Sequence, residues 1–136
     1  MAKDKHPYIK LSELIDEYNK DKNSYDKNRL QDLRENISLT LFYLADSFSL
    51  AISNYDAADW NRKRNYAELI EANEYDEDGN KNTVAVKESL ARIGNKEYEE
   101  KVVEALRQKE KARMILSATN QVLNSISSRL HMIQQN

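Results

Sequence analysis

Hydrophobic side chains recur every three or four residues along most of this chain, and that spacing places them on one face of an α-helix. The longest series consists of Leu30, Leu33, Ile37, Leu41, Leu44, Phe48, Ala51, Tyr55, Ala58, Arg62, Tyr66 and Leu69. Steps of three and four sustained over so many turns are typical of a coiled-coil-like contact. We therefore predict one long helix over residues 27–75, with Asp26 as a candidate cap.

A second series of the same spacing predicts another long helix over residues 96–134. Its members are Tyr98, Val102, Ala105, Leu106, Ala112, Leu116, Thr119, Leu123, Ile126, Leu130 and Ile133. Residues 76–95 lie between the two helices and contain the turn signal Asp78–Gly79, then a short helical stretch that Thr83 begins and Gly94 ends. The two long helices are therefore predicted to form an antiparallel hairpin with a short helix near its tip.

The N-terminal part has a shorter apolar series, which predicts a short helix over residues 11–23. The series is Leu11, Leu14, Ile15 and Tyr18. Residues 1–10 carry charges without an apolar series and are predicted to be a flexible tail. Only two glycines and one proline interrupt the 136 residues, too few for the turns of a sheet protein. We predict an all-α fold and a single helical domain spanning residues 1–136.

Two stretches of the predicted long helices, residues 36–58 and 114–134, are nearly free of charge. Folding the hairpin about a tip near residue 84 brings these stretches together and sets residue 46 opposite residue 124. The first stretch carries a second apolar face, which consists of Leu39, Phe42, Tyr43, Leu50 and Ile52. A helix that is apolar on two faces needs more than one partner. We therefore predict a homo-oligomer whose interface also includes Ile115, Leu123, Ile126 and Leu130.

The same alignment of the hairpin places two basic clusters at one height. The clusters and their aromatic neighbours are Trp60, Arg62, Lys63, Arg64, Tyr66, Arg107, Lys109, Lys111 and Arg113. Aromatic rings that stack on bases, set among cations that contact phosphates, are typical of proteins that bind single-stranded nucleic acid. The alternative is an ordinary solvated helix face with ion pairs such as Arg64–Glu68, and with Trp60 anchored in the core.

No pattern in the sequence indicates catalysis, a metal or a cofactor, so we predict a protein that is not an enzyme. The chain has no cysteine, which excludes disulfides and thiolate chemistry. If Gly79 is placed as the glycine of a calcium-binding EF-hand loop, the last loop position is Ala85, where a glutamate is required. His6 and His131 stand at opposite ends of the chain without a second histidine nearby, which argues against zinc.

The sequence also predicts a cytoplasmic protein that does not enter a membrane. The first ten residues include charges but no apolar segment of the kind that a signal peptide needs. Residues 36–58 are too polar for a membrane helix because they include Asn36, Asp46 and Asn54. The formal net charge is −2, so any nucleic-acid binding must come from a local basic patch.

The basic segment Arg62–Arg64, together with Tyr66, Tyr75 and the Asp78–Gly79 turn, resembles the UvsY family of phage recombination mediators in its order and helix layout. The resemblance covers most of the chain from about residue 30 onward. It implies a ring-like helical oligomer in the host cytoplasm that binds single-stranded DNA, displaces single-strand-binding protein and loads a RecA-type recombinase. It also implies that Arg62, Lys63 and Arg64 contact the DNA.

Two other functions are compatible with the same pattern. A phage-encoded inhibitor or adaptor would bind a host protein through its helix faces. A structural assembly factor would use those faces only for self-association. Neither needs the basic clusters, so DNA binding is the property that separates the first hypothesis from these two.

Overall fold

The computed structural model describes residues 6–21 and 26–135, which form four helices: α1 (Pro7–Asp21), α2 (Lys27–Ala72), α3 (Val84–Gly94) and α4 (Lys96–Gln135). The predicted all-α fold is confirmed. Within the described residues, extended pairing is limited to an isolated bridge between Tyr75 and Lys81. The chain divides into two compact units: the first contains residues Met1–Ser49 and Lys111–Asn136, and the second contains Leu50–Glu110.

The helix ends follow local capping chemistry, and α1 begins earlier than predicted. Pro7 occupies its first position, where a missing backbone N–H costs nothing and the fixed φ suits a helix. Residues 7–10 therefore belong to α1, whereas residues 1–5 of the predicted tail lie outside the described residues. Asp26 caps α2 as predicted, because its Oδ1 accepts the backbone N–H of Arg29 at 2.8 Å.

The core of the first unit is built from three helices. Its buried apolar side chains are Leu11 and Tyr18 from α1, Leu30, Leu33, Ile37, Leu44 and Phe48 from α2, and Ala112, Val122, Ile126 and Leu130 from α4. Helix α1 contacts both of its neighbours: the Tyr8 ring meets Phe48 edge-on at 5.9 Å, and the Tyr18 hydroxyl hydrogen-bonds the Ser125 hydroxyl. Three apolar faces therefore enclose one core.

The turn of the second unit is organised by Asp76. Its Oδ1 accepts the backbone N–H groups of Asp78 at 2.9 Å and Asn80 at 2.8 Å. Gly79 adopts φ 80°, a left-handed conformation that side chains with a Cβ rarely adopt. The chain therefore reverses direction at Asp76–Asn80, and the acidic tip uses its carboxylate to hold its own backbone.

The pairing of the two limbs of the second unit differs from the predicted one. The predicted alignment sets residue 108 opposite Arg62, whereas Arg62 Nη1 lies 3.8 Å from Glu99 Oε1. The reason is the position of the turn. Because the chain reverses before residue 84, helix α3 already lies on the return limb, and Gly94 at its end packs against Leu69 of α2.

Asn95, between α3 and α4, is fully buried and joins three segments of the second unit. Its backbone N–H donates to the Ala91 carbonyl at 2.9 Å and caps α3. Its side-chain oxygen accepts from Asn65 Nδ2 at 2.7 Å, and its own Nδ2 donates to the Arg62 carbonyl at 3.3 Å. One amide group therefore fixes the junction of the return limb against α2.

Replacing Asn95 with alanine is expected to destabilise the chain by about 1–3 kcal/mol, because the substitution removes a fully buried amide and leaves the part-buried Asn65 amide without its acceptor. The free energy of unfolding from urea titration followed by circular dichroism measures this loss. Asn61→Ala, an exposed position on α2, is the matched control and should not lower stability. Equal stability of the Asn95→Ala variant and the wild type would contradict the assigned role.

Candidate interaction surfaces

Trp60 lies on the surface of the second unit, not in its core. Its side chain is 58% exposed, which excludes the core-anchor alternative. Arg64 Cζ lies 5.2 Å from the centroid of the Trp60 ring, a cation–π contact. Arg64 Nε also donates to Glu68 Oε1 at 3.0 Å, so the ion pair expected of a solvated helix face is present. An exposed ring beside a cation is a surface on which a base can stack.

Arg62 and Lys63 share one carboxylate. Arg62 Nη2 lies 2.6 Å from Asp59 Oδ1, and Lys63 Nζ lies 2.9 Å from Asp59 Oδ2. These hydrogen bonds, the one from Arg62 above all, lower the pKa of Asp59, and the same bond raises the pKa of Arg62. The Arg62 guanidinium therefore pairs mainly with Asp59 on its own helix, and it also lies 3.8 Å from Glu99 Oε1 of α4.

One polar atom of Arg62 has no acceptor within the described part of the chain: its Nε is buried and unpaired. Such an atom costs free energy unless water reaches it. The predicted role of Arg62 in DNA contact therefore competes with a structural role, and Tyr66 beside it is only part-exposed. Lys63, whose side chain is 67% exposed, is the more accessible cation of this segment.

Arg107 and Lys109 of α4 lie against residues other than the basic residues of α2. Arg107 Nη2 lies 3.0 Å from Glu104, and the Gln108 and Arg107 side chains together lower the pKa of that carboxyl. Lys109 Nζ lies 4.4 Å from the centroid of the Tyr55 ring.

Lys111 and Arg113, the other two residues of the predicted cluster on α4, belong to the first unit. The predicted pairing level is wrong for Lys109, which lies against Tyr55 while Arg62 lies against Glu99; its role in DNA contact stays a prediction. The cause is again the earlier turn, since it shifts the pairing of the two limbs in the second unit.

The outward face of α2 in the first unit carries an exposed apolar patch, which we call the α2 patch: Leu39, Phe42 and Tyr43. These side chains are 52%, 73% and 65% exposed. The Phe42 and Tyr43 rings meet edge-on at 6.0 Å, so they form one aromatic surface. Ile37 and Leu44 of the same helix are buried. Helix α2 is therefore apolar on two faces here, as its sequence indicates, and residues 6–21 and 26–135 leave one of these faces uncovered.

The other predicted interface residues divide between surface and core. On α2, Leu50 is 60% exposed and Ile52 is 48% exposed; both belong to the second unit. On α4, Ile115 and Leu123 are part-buried.

Two of the predicted interface residues on α4 are core residues. Ile126 is fully buried and Leu130 is only 4% exposed. The interface assignment of these two residues is wrong because they occupy the face of α4 that packs inside the first unit.

An apolar groove of about 540 Å³ runs between α1 and α4 in the first unit; we call it the α1–α4 groove. Its apolar walls are formed chiefly by Tyr8, Ile9, Ile15, Met114, Ile115 and Ala118. Lys111 and Glu13 add one charge of each sign. Sequence reasoning missed this groove, because periodicity shows which face of α1 is apolar but not which helix lies beside it.

Metal ligands and membrane-spanning helices are two further features to consider in the part of the chain that the structure describes. No group of three or more histidine, aspartate or glutamate side chains there is arranged to hold a metal ion. None of the described helices combines the length and apolarity needed to cross a membrane.

Comparison with protein-family models, curated proteins and solved structures finds no match for the chain. The resemblance to recombination mediators therefore stays a prediction.

Proposed function

We propose that the chain is a non-catalytic assembly protein whose copies associate through the α2 patch. The observation that carries this proposal is the exposure of Phe42 and Tyr43, 73% and 65%, at adjacent positions on a helix whose opposite face is buried. Large apolar side chains grouped on a surface mark interaction sites, whereas scattered ones need no explanation. Aromatic residues of this kind supply the central anchors of protein interfaces.

Covering the patch would contribute a favourable free energy to binding. Burying one large apolar side chain contributes about 1.5–3 kcal/mol. Leu39 lies one turn before Tyr43, so the three side chains can enter one contact together. Asp46, one turn beyond Phe42, places a charge at the border of the patch, as expected of an interface with an apolar centre and a polar rim.

The wild-type chain is expected to have a solution mass that is a multiple of 15.9 kDa. Phe42→Asp places a charge in the contact and should weaken association by about tenfold or more. Light scattering after size-exclusion chromatography measures both masses. Ile93→Asp is the matched control, since Ile93 is equally exposed, at 72%, but lies in the second unit. This control should keep the wild-type mass.

A monomeric wild-type chain would contradict self-association. It would favour the other class of function, in which the same face binds a protein of another sequence, as a phage-encoded inhibitor or adaptor would do.

Single-stranded DNA binding is a second candidate function, and the surface around Trp60 favours it. The exposed Trp60 ring can stack on a base, while Lys63 and Arg64 on the following turn can contact phosphates. Asp59 and Glu68 neutralise part of this charge, so we propose weak, salt-sensitive binding. The roles that the resemblance implies, displacement of single-strand-binding protein and loading of a recombinase, would depend on this contact.

Trp60 is the one tryptophan of the chain, so its fluorescence reports directly on this surface. An oligothymidine strand is expected to quench the fluorescence at low salt and to dissociate steeply as salt rises. Lys63→Glu with Arg64→Glu should weaken binding at least tenfold by fluorescence anisotropy. Arg62 is left unchanged because it pairs with Asp59 and Glu99 inside the unit.

The matched control for this test is Lys87→Glu with Lys96→Glu, which changes the net charge equally on α3 and at the start of α4. It should bind nearly as well as the wild type. Equal loss in both double variants, or no quenching at low salt, would remove the DNA-binding candidate.

A further inference from the structure

We propose that the α2 patch of one copy binds in the α1–α4 groove of a second copy, so that the chains assemble head to tail. This inference rests on the proposed function and names the surface that receives the patch. Both surfaces belong to the first unit, and both are apolar and open. The contact is therefore between two different surfaces of the same chain.

The positions of the two surfaces exclude a contact within one copy. In a three-helix core, the groove between two helices lies on the side away from the third helix. The groove is lined by residues of α1 and α4 alone among those described. The patch lies on α2, opposite its buried stripe. Patch and groove therefore face away from each other, and a patch can reach a groove only on another copy.

The chemistry of the groove matches that of the patch. Met114, 70% exposed, and Ile9, 54% exposed, offer apolar surface to an entering ring. Methionine is the apolar side chain that adapts best to an aromatic partner, because it is flexible and its sulfur is polarisable. Phe42 and Tyr43 are rigid aromatic rings, a type of side chain that contributes a large apolar area to interfaces.

The charges beside the two surfaces are complementary. Asp46 follows the patch by one turn of α2, and Lys111 lies at the groove. Neither side chain has an ion partner among residues 6–21 and 26–135. A second copy brings an unpaired carboxylate to an unpaired ammonium group at the border of the contact. This pairing favours a second copy as the occupant.

The rest of this chain offers no better occupant for the groove. The residues outside the described ranges are 1–5, 22–25 and 136, and their larger apolar side chains are limited to Met1 and Tyr25. The other positions are mostly lysine, aspartate, asparagine and serine. The composition of these segments therefore offers little apolar surface to a groove of about 540 Å³.

A contact between two different surfaces has a structural consequence. Each copy keeps a free groove at one side and a free patch at the other, so further copies add until the assembly closes into a ring or continues as a filament. A two-fold dimer, in which patch meets patch, would stop at two copies. The two arrangements are therefore distinguishable by mixing variants.

The decisive experiment mixes two variants that each lack one surface. Phe42→Asp removes the patch and keeps the groove, while Met114→Asp removes the groove and keeps the patch. Both positions are at least 70% exposed, so both variants should fold as the wild type does. Each alone should be monomeric by sedimentation velocity, and the 1:1 mixture should form a dimer that grows no further.

The outcomes separate this inference from the proposed function. If Phe42→Asp is monomeric but Met114→Asp assembles like the wild type, self-association through the patch stands and the groove assignment is overturned. If Phe42→Asp also assembles like the wild type, both are overturned. A mixture that stays monomeric contradicts the head-to-tail contact, because the dimer requires only one intact patch and one intact groove.

Exchanging the charges of Asp46 and Lys111 gives a second test of the contact. A folding defect would not produce the recovery that is expected of the double variant. Asp46→Lys and Lys111→Asp should each weaken assembly by about two- to fivefold at low salt, the range for an exposed ion pair. The chain that carries both changes restores the pair and should recover the wild-type affinity. A double variant weaker than either single variant would overturn the pairing of these two residues.

Discussion

The structure of the first unit depends on one constraint: helix α2 is apolar on two faces, and the part of the chain that the structure describes covers only one of them. The inner face meets α1 and α4 and contains side chains such as Ile37 and Leu44. The outer face leaves Phe42 and Tyr43 in water. Exposed apolar surface is unfavourable in proportion to its area. A partner that covers the outer face of α2 would therefore lower the free energy of the chain.

The second unit shows a different feature, since the basic residues Arg62 and Lys63 pair with carboxylates of the same unit. Asp59 takes hydrogen bonds from both Arg62 and Lys63, and Glu99 lies across from Arg62. Asn95 closes the junction with its amide group. The basic segment is thus partly engaged in ion pairs, most of them within α2, and Trp60 and Lys63 are its more accessible side chains.

Periodicity was sufficient to predict the helices because apolar spacing is a local property of the chain. It was also sufficient to identify the second apolar face of α2. The limb pairing failed because the tip was placed near residue 84 although the turn signal lay at Asp78–Gly79. The α1–α4 groove and the burial of Ile126 depend on how helices pack in space, and nothing in the local pattern carries that information.

The most direct test of head-to-tail assembly is disulfide cross-linking between copies. Because the chain has no cysteine, an introduced thiol can form a disulfide only with another introduced thiol. Tyr43→Cys places a thiol in the patch, and Met114→Cys places one in the groove. Under mild oxidation the mixture of the two variants is expected to form a disulfide-linked dimer, while each variant alone stays uncross-linked. Equally efficient cross-linking of Tyr43→Cys with itself, or none in the mixture, would contradict head-to-tail assembly through the outer face of α2.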